Sequence, residues 1–203
     1  MPRIPVCLVS LVLALPGAAL AGEMVIQFQT LEDPKAAADP NACHDAPFQA
    51  NVKMQGSVSV PETSPTDGKV KASGKKPVGA ALACLRITDR TFAEGSQGDI
   101  YASFELPEGH FEAVGKCTAV SNAVPRPGVV LAGCELKLTE FPRAYAGGFA
   151  TSASLFNPLH LPGYSTGSMW TLRVFEPEAA PAQEPAKAKA SKPAPSAGSM
   201  GTK

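Results

Sequence analysis

The chain carries little of the residue vocabulary from which active sites are built. Among its 203 residues there are three histidines, one tryptophan and no Cys-x-x-Cys pair. His44, His110 and His160 show no His-x-His or His-x₃-His spacing, and no methionine-rich run joins them to Met54 or Met169. Neither zinc nor copper therefore has a pre-organised ligand set, and no metal or other cofactor is expected. Glycine-rich phosphate loops are missing. Lys and Arg (18) balance Asp and Glu (18), so the chain has no net charge with which to hold nucleic acid. The run Val6 to Leu15 falls well short of the ~20 apolar residues of a membrane span. No segment shows a sustained apolar stripe at helical period, and 20 prolines with 18 glycines argue for turns over long helices.

What is present at the N-terminus reads as an export leader over residues 1–21. Arg3 supplies the charged start, Val6 to Leu15 the apolar stretch, Pro16-Gly17 the break, and Ala19-Leu20-Ala21 a small-x-small cleavage site. Cys7 lies inside the leader, and Gly22 rather than a cysteine stands directly after the cleavage site, so lipid attachment there is not expected. Without an Asn-x-Ser/Thr sequon, the Ala-, Gly- and Pro-rich composition fits a bacterial envelope, and the expected location is periplasmic or secreted. Cleavage leaves Cys43, Cys84, Cys117 and Cys134, an even set that an oxidising compartment joins into two disulfides.

Residues 22–176 are expected to form one domain. Period-two alternation recurs along them. Phe48, Ala50, Val52, Met54, Gly56, Val58 and Val60 share one parity, and Gln49, Asn51, Lys53, Gln55, Ser57 and Ser59 the other. Successive strand side chains face opposite sides, so such a segment has one dry and one wet face. Ile100 to Leu106 and Val130 to Leu138 repeat the pattern. Met24–Thr30, Val78–Thr88, His110–Val120, Gly148–Phe156 and Met169–Phe175 are further strands. Roughly eight strands between turn signals predict an all-β fold, an antiparallel sandwich, with a partly open barrel as the alternative. Trp170 alternates with Leu172 and Val174 and belongs to the core.

The cysteines fix one register. Asn122 to Gly128 is a turn-rich connection, and folding the chain antiparallel about Pro125-Arg126 brings Cys117 opposite Cys134. Each lies on the apolar parity of its strand, alongside Phe111 and Leu136. Directly opposed residues are within disulfide reach. The pairing Cys117–Cys134 follows, which leaves Cys43–Cys84 to pin the irregular segment Asp39 to Pro47 against the Val78–Thr88 strand.

Two connections are long. Pro61 to Pro77 is polar, carries Lys69, Lys71, Lys75 and Lys76, and reads as a mobile hairpin loop. Asn157 to Ser168 places Leu159, His160, Leu161 and Tyr164 where surface is expected. Apolar groups on such a loop either contact a partner or cap the open end of the core. Residues 177–203, rich in Pro, Ala and Lys, hold no bulky apolar side chain but Met200 and are expected to be a disordered tail.

Gly163-Tyr164-Ser165-Thr166-Gly167 matches the Gly-x-Ser-x-Gly pattern of hydrolases. That pattern needs a strand-to-helix turn and a histidine later in the chain. Here a strand follows and no histidine comes after Ser165, so the match is a coincidence of composition. The functional expectation is an exported, non-catalytic binding or structural module whose loops contact an envelope protein or a surface polymer. Its rivals are a carrier of a small apolar ligand inside a barrel and a secreted hydrolase with a site assembled from dispersed residues.

Overall fold

The computed structural model describes residues 22–34, 39, 41–71 and 76–177. The expected leader, and all of the expected tail but its first residue, lie outside the described residues. Ten strands follow one another: β1 (Glu23–Glu32), β2 (Val52–Ser59), β3 (Glu62–Thr63), β4 (Val70–Lys71), β5 (Gly79–Ile87), β6 (Gln97–Leu106), β7 (Gly109–Ser121), β8 (Val130–Glu140), β9 (Gly147–Phe156) and β10 (Gly167–Phe175). The all-β expectation holds. Eight of these strands pair antiparallel in the closed order β1-β10-β9-β8-β7-β6-β5-β2. The sheet thus closes as a barrel and does not split into the two layers of a sandwich. Closure is made by β1, which pairs with β10 on one side through Glu23↔Phe175 to Leu31↔Gly167, and with β2 on the other through Gln29↔Ser59 to Glu32↔Gly56.

Closure decides which parity matters, because a barrel has one inside. Inward positions carry Ile26 and Phe28 of β1, Val58 of β2, Leu85 of β5, Ile100, Ala102 and Phe104 of β6, and Leu172 and Val174 of β10, all buried. Phe28, Phe104 and Trp170 form an aromatic knot at the centre, with centroid separations of 5.1 Å for Phe28–Phe104 and 4.9 Å for Phe104–Trp170. The Trp170 indole N–H donates to Thr30 Oγ1 at 3.1 Å, which satisfies the one polar atom of that ring. Burial of this size is the main stabilising contribution, about 1.5–3 kcal/mol for each large side chain. Between β7 and β8 only glycine fits at position 115, because a Cβ there would run into the Glu135 carbonyl oxygen.

Both disulfides form as the spacing requires, Cys43 with Cys84 and Cys117 with Cys134. The ladder pairs Cys117 directly with Cys134, on the barrel's inner face. Cys84 sits outward on β5, as does its ladder partner Tyr101 on β6, yet they are 0% and 3% exposed. The described stretch 41–51 between β1 and β2 is laid over them. It is held there by the Cys43 bridge, by Arg86 over the Phe48 ring, and by Asn51, whose side chain bonds both the N–H and the C=O of Ile87. Phe48 therefore belongs to this covering segment and β2 begins at Val52, later than the alternation suggested. The short β3–β4 ribbon occupies the lysine-bearing connection.

Candidate functional site

Strand direction gathers the described stretch 41–51 of the β1–β2 connection, and the connections 88–96, 122–129 and 157–166, at one end of the barrel. Inside that end lies a chamber of about 80 Å³, walled by apolar inward residues such as Met54, Leu85, Ile100 and Trp170, and by the Cys117–Cys134 bridge. Its polar side is narrow. Ser154 and Ser168, opposed across β9 and β10, share a hydrogen bond of 2.7 Å, and Ser152 joins Ser154 at 3.0 Å. Outside the chamber is a wider hollow of about 470 Å³ bordered by Asn51, Arg90, Asn122 and Leu159. Chamber and hollow share the side chains of Val52, Ile87, Phe92, Val130 and Phe156. Convergence of an apolar cavity with a few polar groups is the usual form of a small-molecule site.

Phe92 and Phe156 stand between the two spaces, edge to face at 5.6 Å. Phe92 lies in the 88–96 connection with φ of 52°, a left-handed conformation unusual for a bulky side chain. Asp89 builds the turn that imposes it. Its carboxylate accepts from Thr91 Oγ1 (2.6 Å), Thr91 N (2.8 Å) and Ala93 N (3.3 Å), while its carbonyl accepts from Phe92 N. The bonds to the Thr91 hydroxyl and N–H hold the Asp89 carboxyl below its ordinary pKa.

The loop singled out by its apolar content lies at this same end. Leu159 is 65% exposed on the rim of the hollow. His160 is exposed with φ of 50°, whereas Leu161 and Tyr164 are half-buried. One residue organises them, and alternation gave no sign of it. Buried Asn157 donates from its amide to the carbonyls of Leu161 (3.0 Å) and Tyr164 (2.9 Å), and its side-chain oxygen accepts from Leu161 N (2.9 Å). Across the rim, Gly128 has φ of 89°, and a Cβ there would come within 2.8 Å of Leu159 Cδ1. Ser165, the middle residue of the hydrolase-like pattern, is exposed, and no histidine or carboxylate among the described residues hydrogen-bonds it.

A second cluster lies on the outer face of β6, β7 and β8. His110 Nδ1 is 2.7 Å from Glu105 Oε1, and Nε2 is 3.3 Å from Glu112 Oε1. Partial burial pulls the His110 pKa down, but bonding to Glu105 and Glu112 and their negative charge outweigh it, and the net shift is upward. Nearby, burial and then the bond to Glu112 push the Tyr101 phenol upward. His110, Glu112 and Glu140 each offer one ligand atom, all within 4.8 Å of one another, so among the described residues these three could hold a cation. His44 pairs instead with its exposed neighbour Asp45, and the three histidines do not converge.

No protein-family model matches the chain, and no curated protein or solved structure is significantly similar to it, so the geometry of the barrel's open end is what a functional reading has to stand on.

Proposed function

We propose that this chain is a non-catalytic, exported barrel that takes up a small apolar ligand through the end carrying Phe92 and Phe156. The observation that supports it is the continuity of an apolar inner chamber with a hollow of about 470 Å³ across one pair of aromatic side chains. A closed sheet keeps its shape when the interior is left unfilled, because its backbone hydrogen bonds are complete without edges. Two disulfides are compatible with an oxidising compartment, which agrees with a periplasmic or secreted setting.

A second reading, docking of an envelope protein or surface polymer on the loops, draws on the same rim, where Leu159 is 65% and Val124 60% exposed. The ligand reading is preferred because an apolar interior space has no use in a rim contact. The test is a titration with decanol, a neutral linear alcohol, followed by calorimetry and by Trp170 fluorescence. Saturable heat, with a matching change in Trp170 fluorescence, is expected. Heat that never saturates, together with an unmoved tryptophan, would leave the rim as the working surface.

A further inference from the structure

Charge divides the two spaces at the open end. Among the charged side chains that line them, the inner chamber has Asp89 alone and the outer hollow Arg90 alone. The Asp89 carboxylate is turned into its own loop by three hydrogen bonds. No cation lines the chamber, so an anionic group drawn inside would be desolvated without compensation. Arg90 is exposed and enters no ion pair among the described residues. Shape adds a second constraint. At about 80 Å³ the chamber is smaller than the ~150 Å³ cavity that admits a benzene ring. It takes the end of a chain, not a ring.

Resting on the carrier reading, we infer that the ligand is a single-chain amphiphile with an anionic head. Its alkyl end passes between Phe92 and Phe156 into the chamber, and its head stays in the hollow beside the Arg90 guanidinium. The polarity of binding is set by the protein: apolar end inward, charge outward. A planar, two-pronged donor such as guanidinium is well suited to a carboxylate or phosphate head. Ser154 and Ser168 hydrogen-bond each other, so neither asks a hydrogen bond of the chain end.

The experiment compares decanoate, decanol and decyltrimethylammonium by calorimetry and by Trp170 emission, on the full chain and on Arg90→Gln. Decanoate should bind tightest, its affinity should fall with added salt, and Arg90→Gln should weaken it about fivefold while leaving decanol unchanged. Arg90→Lys should recover part of the loss. Circular dichroism of each variant shows that the barrel is intact. Decanol binding as tightly as decanoate, with Arg90→Gln indifferent, overturns the anionic head and leaves the carrier reading standing. Tighter binding of the cationic amphiphile does the same. If none of the three binds by either readout, the carrier reading falls and this inference with it.

Discussion

Phe92 and Phe156 meet edge to face, ring centroids 5.6 Å apart, where the narrow interior of the barrel opens into the loop-lined hollow. One comes from a turn forced into the left-handed region by Asp89, the other from the last residue of β9. Their contact is the one aromatic pair at this end of the molecule, among the described residues, and it separates two spaces of different size and charge.

Truncating Phe92 should therefore act more on kinetics than on stability. Phe92→Ala removes a half-buried ring and should cost about 1–2 kcal/mol, less than the ~3–5 kcal/mol of a fully buried phenylalanine. Release of decanol, followed by stopped-flow Trp170 fluorescence, should become several-fold faster. Glycine relieves the strain at φ of 52° that alanine keeps, so Phe92→Gly should be no less stable than Phe92→Ala in urea. A markedly less stable glycine variant would show that the turn is not strained.

Asn157→Ala should be the most damaging polar substitution at the open end. It strips partners from Leu161 N and from the carbonyls of Leu161 and Tyr164. A loss of about 2–3 kcal/mol is expected, because one buried amide serves three backbone groups. Urea unfolding measures it, and hydrogen exchange should localise the loosened backbone to 157–166. Protection unchanged there would rule out the organising role.

The two disulfides should prove unequal. Cys117 and Cys134 close a short loop, with 17 residues of separation, on strands already paired, and replacing both by alanine should cost about 3 kcal/mol. Cys43 and Cys84 are 41 apart and hold down the segment that covers Tyr101. Their loss should cost about 4 kcal/mol from chain entropy and should also expose that tyrosine. Second-derivative absorbance of the tyrosines would register the exposure in the second variant alone.

His110 gives stability a pH dependence of definite sign. Its folded pKa is raised, so the protonated form is favoured by folding. The contribution is complete below the ordinary histidine value of ~6.5 and is lost as pH rises through the higher folded value. Melting temperatures of the parent and of His110→Gln should differ most under acidic conditions and converge as pH rises through that window. A gap that widens with pH would reverse the assignment. Exposure of the side chain, 36%, keeps the effect small.

Much of the scaffold was legible from local pattern. Local pattern placed all eight barrel strands, seven to within three residues at each end and β2 with its start read four residues early, and the inward parity of Val52, Met54 and Val58 is the parity read from the sequence. The register through Cys117 and Cys134 followed from one turn and a constant sum of positions. It holds from Ala113 to Ala119, failing only at the bulges beyond. Phe48 and Ala50 fit the alternation but lie outside β2, because the Cys43–Cys84 bridge and Asn51 draw that stretch across the outer face instead.

The candidate site was far less legible. Leu159 was singled out as a surface apolar residue, and it borders the hollow. Phe92, Phe156, Arg90 and Asn157 carried no signal, since an isolated aromatic or arginine in a turn looks like any other. Local spacing of apolar residues determined which side chains face a dry interior and which thiols meet, because both depend on neighbours along a strand or across one hairpin. Whether the sheet would split into two layers or close on itself, and hence whether it would enclose a space, was decided by the pairing of β1 with β10 across the full length of the domain. That contact joins residues some 150 positions apart, as Glu23 with Arg173, and no periodicity in the intervening chain encodes it.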